Sequence, residues 1–168
     1  MRTVLFAHGL SGSPDGTKVT TLRAAGLPLV VPDGRGRPLY ARIDALRIEL
    51  EAHPGSVLVG SSYGGLAAMA LASEYAVAQP GLLSALVLLA PALSLRERPV
   101  MEPDALVVPP SLPMVVIHGR RDDVIPVTVS RALVRRCPHA VYHEVDDDHE
   151  LHGSLQLLLN VLRELVVA

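Results

Sequence analysis

The sequence is poor in the residues that stack on nucleic-acid bases, and it has no excess of positive charge. Trp is absent, Phe6 is the single Phe among 168 residues, and the formal net charge is −2. A nucleic-acid groove needs aromatic platforms or a surplus of Lys and Arg. These counts therefore argue against a nucleic-acid partner and against an anionic membrane surface. Lys is also scarce, because Lys18 is the only one.

Cysteine and long apolar runs are equally scarce. Cys137 is the single cysteine, so no intrachain disulfide can form, and this favours a reducing compartment. The apolar run close to Met1 is too short for the core of a signal peptide. No stretch approaches the ~20 apolar residues that span a bilayer. We therefore expect a soluble, cytoplasmic protein without a membrane partner.

The sequence does contain a regular alternation of short apolar runs and helix-like segments. Six runs predict strands: Thr3–Ala7, Leu27–Val31, Ser56–Val59, Ala85–Leu89, Met114–Ile117 and Ala140–Val145. Five segments predict helices: Thr17–Ala25, Leu39–Ala52, Gly65–Ala78, Pro126–Arg135 and Leu151–Val167. Most of the runs are continuously apolar, as in strands buried on both faces. The pattern predicts one α/β domain over residues 1–168 with a mainly parallel sheet, interrupted by a Pro-rich irregular excursion at Pro91–Pro113.

A short glycine-flanked turn holds the first candidate functional residue. Gly60-Ser61-Ser62-Tyr63-Gly64 fits the pattern G-x-S-x-G and lies between a predicted strand and a predicted helix. In that context the turn is so sharp that Ser62 is strained and exposed, while the two glycines avoid backbone collisions. The pattern predicts a nucleophilic Ser62. The alternative is a phosphate-binding turn at the start of the helix.

A serine nucleophile needs a histidine base, and a carboxylate must orient that base. Asp122, Asp123 and His149 follow Ser62 in the chain order Ser, Asp, His, and each comes just after a predicted strand. The carboxyl ends of parallel strands meet at one edge of a sheet, so these side chains are expected to converge. The order alone leaves Asp122 and Asp123 as alternatives.

Three further segments resemble motifs of the α/β-hydrolase superfamily. His118 to Pro126 resembles its H-G-x-x-D-x-x-[VI]-P segment, and Asp148-His149 resembles its D-H pair, with Asp147 in place of the usual preceding Gly. The run His8-Gly9-Leu10-Ser11-Gly12-Ser13 resembles its H-G-x-x-G-S loop. Together with the serine turn, these motifs span nearly the whole chain. The sequence resembles a small, lidless, bacterial-type serine esterase of that superfamily.

The resemblance implies a fold and a set of site residues. The fold would be a compact α/β hydrolase with a six-stranded sheet, without the superfamily's usual first two strands and without a full lid domain. Ser62, Asp122 and His149 would be the catalytic residues, and the N–H groups of Leu10 and Tyr63 would form the oxyanion hole. No cofactor and no metal would be needed.

The implied reaction is hydrolysis of a small or short-chain ester or thioester through an acyl-enzyme. Two other interpretations stay open: a non-catalytic ligand-binding protein on the same scaffold, and a carbon–carbon bond hydrolase or perhydrolase with the same residues. The acidic run Asp146 to His152 could also be a metal site, although it lacks H-E-x-x-H spacing. The sequence does not predict an oligomeric state.

Overall fold

The computed structural model describes residues 1–168 and contains one six-stranded sheet. The strands are β1 (Val4–Ala7), β2 (Leu29–Val30), β3 (Ser56–Ser61), β4 (Leu83–Leu89), β5 (Met114–Gly119) and β6 (Val141–Val145). Their spatial order is β2-β1-β3-β4-β5-β6, and every neighbouring pair is parallel. The prediction of a six-stranded, mainly parallel sheet is confirmed.

The central strands are continuously apolar because helices cover both of their faces. All residues of β1, β3 and β5 are buried. Leu58 lies between Leu5 of β1 and Leu86 of β4, so the register stacks large apolar side chains across the middle of the sheet. The edge strands β2 and β6 are less buried, and β2 is only two residues long.

Five helices form two layers, one on each face of the sheet. They are α1 (Thr17–Ala24), α2 (Leu39–Ala52), α3 (Tyr63–Ala78), α4 (Thr128–Arg136) and α5 (Leu155–Val167). Helices α2, α3 and α4 share one apolar core cluster with Leu58, whereas α1 and α5 share the other with Val57 and Val59. Successive residues of β3 thus point to opposite layers, as strand geometry requires.

Only α2 has the predicted bounds: α1 ends at Ala24 rather than Ala25, and α4 spans Thr128–Arg136 rather than Pro126–Arg135. The two other differences lie beside candidate functional residues. Helix α3 begins at Tyr63 rather than Gly65, directly after Ser62. Helix α5 begins at Leu155 rather than Leu151, after a 3-10 turn over His152–Ser154. Leu151 has φ +56° and is buried, so its side chain fits an apolar helical pattern although its backbone is left-handed.

The strand order creates a crevice at the carboxyl ends of the strands. From β1 the chain moves outward to β2 and then returns to place β3 on the other side of β1. In open α/β sheets, ligands bind outside the carboxyl ends of the strands at such a switch point. His8 and Gly9 follow β1 there, and Ser62 follows β3.

The Pro-rich segment predicted as an irregular excursion forms no lid domain. Between β4 and β5 the chain has one 3-10 turn, Pro103–Ala105, and one isolated bridge between Glu97 and Val100. Val108 and Leu112 are buried in the core cluster shared by α2, α3 and α4. The segment therefore packs largely on that flank of the fold.

None of the helices has the length and apolar character required to cross a lipid bilayer.

Candidate active site

Ser62 lies in a strained turn between β3 and α3. Its φ of +54° and ψ of −116° belong to a region that side chains rarely adopt. Gly60 and Gly64 make the turn possible. A Cβ at Gly60 would lie 2.6 Å from the Cβ of Ala68, and a Cβ at Gly64 would overlap the carbonyl group of Ala7. The strain expected from the G-x-S-x-G pattern is present in the backbone.

Ser62, His149 and Asp122 form a continuous chain of hydrogen bonds. The Ser62 hydroxyl donates to Nε2 of His149 at 3.0 Å, and Nδ1–H of His149 donates to Oδ2 of Asp122 at 2.7 Å. The carboxylate fixes the tautomer, so Nε2 faces the hydroxyl as an acceptor. The three residues follow β3, β5 and β6, and the parallel sheet brings them together from distant parts of the sequence.

The structure turns Asp122, rather than Asp123, toward His149. The Asp122 side chain is fully buried, and its Oδ1 accepts the backbone N–H groups of Val124 at 2.9 Å and Ile125 at 2.7 Å. These two bonds wrap the loop around one carboxylate oxygen and leave the other for the imidazole. Asp123 is exposed to solvent on the outside of the same loop.

His118 contacts the buried carboxylate of Asp122. Its Nε2 lies 3.1 Å from Oδ2 of Asp122 and donates to the carbonyl of Ile125 at 2.9 Å, while its Nδ1 accepts from the Ser130 hydroxyl. Burial lowers the pKa of His118, which favours this neutral form. In the sequence, the four-residue spacing between His118 and Asp122 is the signal of this contact.

The loop that carries His149 is stabilised by its own acidic residues. Asp147 accepts the backbone N–H of Asp148 at 2.9 Å and the hydroxyl of Ser154 at 2.8 Å, and Asp146 pairs with Arg121 at 2.9 Å. The carboxylates are thus engaged with separate partners. No group of three or more His, Cys, Asp or Glu side chains in the structure is arranged to hold a metal ion.

Two backbone donors beside Ser62 are free. The N–H groups of Leu10, after β1, and of Tyr63, the first residue of α3, donate to no acceptor within the protein. A helix N-terminus leaves its first N–H groups without partners, which explains the free donor of Tyr63. Both residues line the same cleft as Ser62 and His149. Free donors around a nucleophile can stabilise negative charge on a substrate oxygen.

Arg42 of α2 fixes the loop that presents Leu10. Its side chain is 5% exposed, and Nη1 donates to the carbonyl of His8 at 2.7 Å and to that of Gly9 at 3.4 Å. The guanidinium also lies 4.8 Å from the centre of the Tyr63 ring, whose hydroxyl donates to Glu97 at 2.7 Å. One buried cation thereby contacts both elements that present the free N–H groups. Arg42 belongs to none of the sequence motifs and could not be identified from them.

The cleft around Ser62 has a volume of about 690 Å³ and a lining that is partly apolar and partly polar. The segments after β4 and β5 contribute apolar side chains: Ala92, Leu95, Val124 and Ile125. The loop after β1, the first turn of α1 and the loop after β6 contribute polar ones: Ser11, Ser13, Thr17, Lys18, Glu150 and His152. Ser62 and His149 line the same cleft, so a bound molecule could contact residues of both kinds beside Ser62.

Comparison with solved structures shows close agreement in fold at low sequence identity. A candidate hydrolase from Agrobacterium vitis S4 has a TM-score of 0.79 at 19% identity, with 98% of this chain and 88% of that chain covered. A candidate hydrolase of the α/β superfamily from Xanthomonas campestris pv. campestris has a TM-score of 0.78 at 23% identity, with 98% of both chains covered. The ydeN gene product from B. subtilis has a TM-score of 0.75 at 18% identity, with both chains covered completely.

The match to a family model covers all three of the hydrogen-bonded residues Ser62, His149 and Asp122. The family model described as "Serine hydrolase (FSH1)" matches residues 40–151, which is more than half of the sequence and includes Ser62, Asp122 and His149. The loop with Leu10 lies outside the matched range. No curated protein matches the sequence. The chain is a hydrolase of the α/β-hydrolase superfamily and belongs to the serine hydrolase family FSH1.

Proposed function

We propose that this hydrolase cleaves small or short-chain esters or thioesters through an acyl-enzyme, with Ser62 as nucleophile. The observation that carries the proposal is the chain of hydrogen bonds from Ser62 through His149 to Asp122. An unpaired serine hydroxyl is a weak nucleophile, and a neutral imidazole held at 3.0 Å is the usual means of activating one.

In the proposed mechanism, Nε2 of His149 takes the Ser62 proton while Oγ attacks the substrate carbonyl. The N–H groups of Leu10 and Tyr63 stabilise the oxyanion, and Asp122 stabilises the imidazolium. The tetrahedral intermediate collapses, and His149 gives its proton to the leaving alcohol or thiol. Water, deprotonated by His149, then attacks the acyl-enzyme, and the acid leaves as Ser62 regains its proton.

The acyl-chain preference of the enzyme tests this proposal. In a panel of p-nitrophenyl esters from acetate to palmitate, we expect kcat/KM to be highest for acetate and butyrate. No lid domain covers the cleft, so a long acyl chain would leave much of its apolar surface in water. A butyryl thioester extends the panel, and its hydrolysis is measured through the thiol that is released. A clear preference for long acyl chains would contradict the short-chain assignment.

A fluorophosphonate probe supplies the second readout of the same experiment. Stoichiometric labelling of the wild type, with parallel loss of ester hydrolysis, is expected of a serine hydrolase. A protein that neither reacts with the probe nor turns over any ester would favour a ligand-binding role.

We also propose a cytoplasmic location and a single domain. The support for the location is the solitary Cys137, which is buried and free.

Replacement of Arg42 by methionine tests the proposed oxyanion loop. Methionine keeps an unbranched apolar stem, although it is shorter than arginine, and it cannot donate to the carbonyls of His8 and Gly9. We expect kcat for p-nitrophenyl acetate to fall by about 10²-fold, since a misplaced oxyanion donor has effects of this size. KM should change little, because the donors act mainly on the transition state.

Arg47→Met is the matched control for Arg42→Met. Arg47 lies on the same helix and contacts an aromatic ring, that of Tyr75, but its hydrogen bonds go to Asp44 and Glu74. Thermal melting of both variants separates a loss of stability from a loss of catalysis. If Arg42→Met retained the wild-type kcat, the loop would not need this anchor.

A further inference from the structure

Lys18 is a nearly buried cation in the wall of the cleft, and the proposed mechanism does not use it. It occupies the first turn of α1, lines the same cleft as Ser62, and is the only Lys of the chain. Its side chain is 12% exposed. Removing an ammonium group from water is unfavourable unless partners replace the water, so the surroundings of this group are informative.

The ammonium group of Lys18 makes no hydrogen bond within the protein. Its nearest anionic partner is Oε2 of Glu150 at 3.9 Å, which is an ionic contact beyond hydrogen-bond length. The Glu150 side chain is 60% exposed, so it can turn into solvent at little cost. The ammonium group is not fully enclosed, so its three N–H donors remain accessible to a ligand that enters the cleft.

The surroundings of Lys18 suit a negatively charged ligand group. Ser11, Ser13 and Thr17 also line the cleft and carry hydroxyl groups. Burial lowers the pKa of Lys18, while the carboxylates of Glu150 and the neighbouring Asp147 and Asp148 oppose that shift. An arriving anion would supply a further counter-charge and a hydrogen-bond acceptor.

We propose that Lys18 forms a carboxylate-binding subsite, and that the preferred substrates carry a carboxylate in addition to the scissile carbonyl. A carboxylate suits this cation because it carries a single negative charge and can take the place of Glu150, the one carboxylate in ionic contact with the ammonium group. The substrate would occupy the cleft with its charged end at Lys18 and its scissile carbonyl at Ser62. This inference rests on the proposed function, because it names the class of ester that the site accepts.

Matched pairs of charged and neutral esters test the subsite. For the acyl side, the pair is mono-p-nitrophenyl adipate and its methyl ester; for the alcohol side, it is 4-acetoxybenzoate and methyl 4-acetoxybenzoate. The measured quantity is the ratio of kcat/KM for the charged member to that for the neutral one, each divided by its rate of hydroxide-catalysed hydrolysis. The wild type should favour the charged member in at least one pair, and raising the salt concentration should reduce that preference.

Variants of Lys18 and Glu150 separate a binding role from a structural one. Lys18→Gln should lower the ratio by about tenfold or more, the usual effect of losing a charge-assisted hydrogen bond. Glu150→Gln should raise it, because a competing carboxylate is removed. Arg23→Gln, which removes a positive charge from the same helix but outside the cleft lining, should keep the wild-type ratio.

The opposite signs expected for the Lys18 and Glu150 variants make the proposal refutable. If Lys18 only tethers the acidic loop, both variants should lower the activity on charged and neutral esters alike, and that result would overturn the subsite. Absence of any charge preference in the wild type would overturn it even if a variant failed to fold. In either result the wild type still hydrolyses neutral esters, whereas failure of the proposed function would abolish that hydrolysis in the wild type as well.

Discussion

Replacing Ser62 with alanine should lower kcat for p-nitrophenyl acetate by about 10⁶-fold, the loss typical of removing a serine nucleophile. Without the hydroxyl, no acyl-enzyme can form, and His149 has no proton to take. The fold should persist, because alanine keeps the Cβ that already occupies this strained turn at φ +54°. Residual activity would come from direct attack of water assisted by the oxyanion donors and by substrate binding.

Ser61→Ala is the control for this loss, because the chain offers a second serine immediately before the first. Ser61 is the last residue of β3 and also lines the cleft, but it makes no hydrogen bond to His149. Its replacement should leave kcat within a few-fold of the wild type and preserve fluorophosphonate labelling. Substantial esterase activity in Ser62→Ala, with loss in Ser61→Ala, would move the nucleophile by one residue.

Features with local determinants could be predicted from the sequence. The serine turn is one such feature, because all of its determinants lie within a few residues of one another. An apolar run is followed by Gly60 and Gly64, and together they dictate a sharp strand-to-helix turn. The central strands are another, since burial on both faces leaves a continuous apolar run. The length of β2 could not be predicted, because only Leu29 and Val30 of the apolar run Leu27–Val31 pair with β1.

Features that depend on distant contacts could not be predicted in this way. Arg42 lies within a helix, and only the folded chain shows that its guanidinium reaches the carbonyl of His8. Lys18 could be noted as a solitary residue, but its burial beside the cleft follows from how α1 packs. The orientation of two adjacent carboxylates is equally invisible in sequence, since the backbone N–H groups that hold Asp122 become available only once the loop has turned.

Asp122→Asn should lower kcat by about 10⁴-fold with little change in the fold, as is typical when the acid that orients a catalytic histidine becomes an amide. The amide oxygen can still accept the backbone N–H groups of Val124 and Ile125, which directs the NH₂ group toward His149. That group would donate to Nδ1 and leave the proton on Nε2. The imidazole could then no longer accept the proton of Ser62.

Asp123→Asn is the matched control, because it makes the same chemical change one residue further along the same loop. Its side chain is exposed and makes no hydrogen bond to His149, so kcat should stay within a few-fold of the wild type. Full activity in Asp122→Asn together with loss in Asp123→Asn would refute the proposed acid. Equal losses in both variants would instead point to a general effect of loop charge, because only one of the two carboxylates contacts the imidazole.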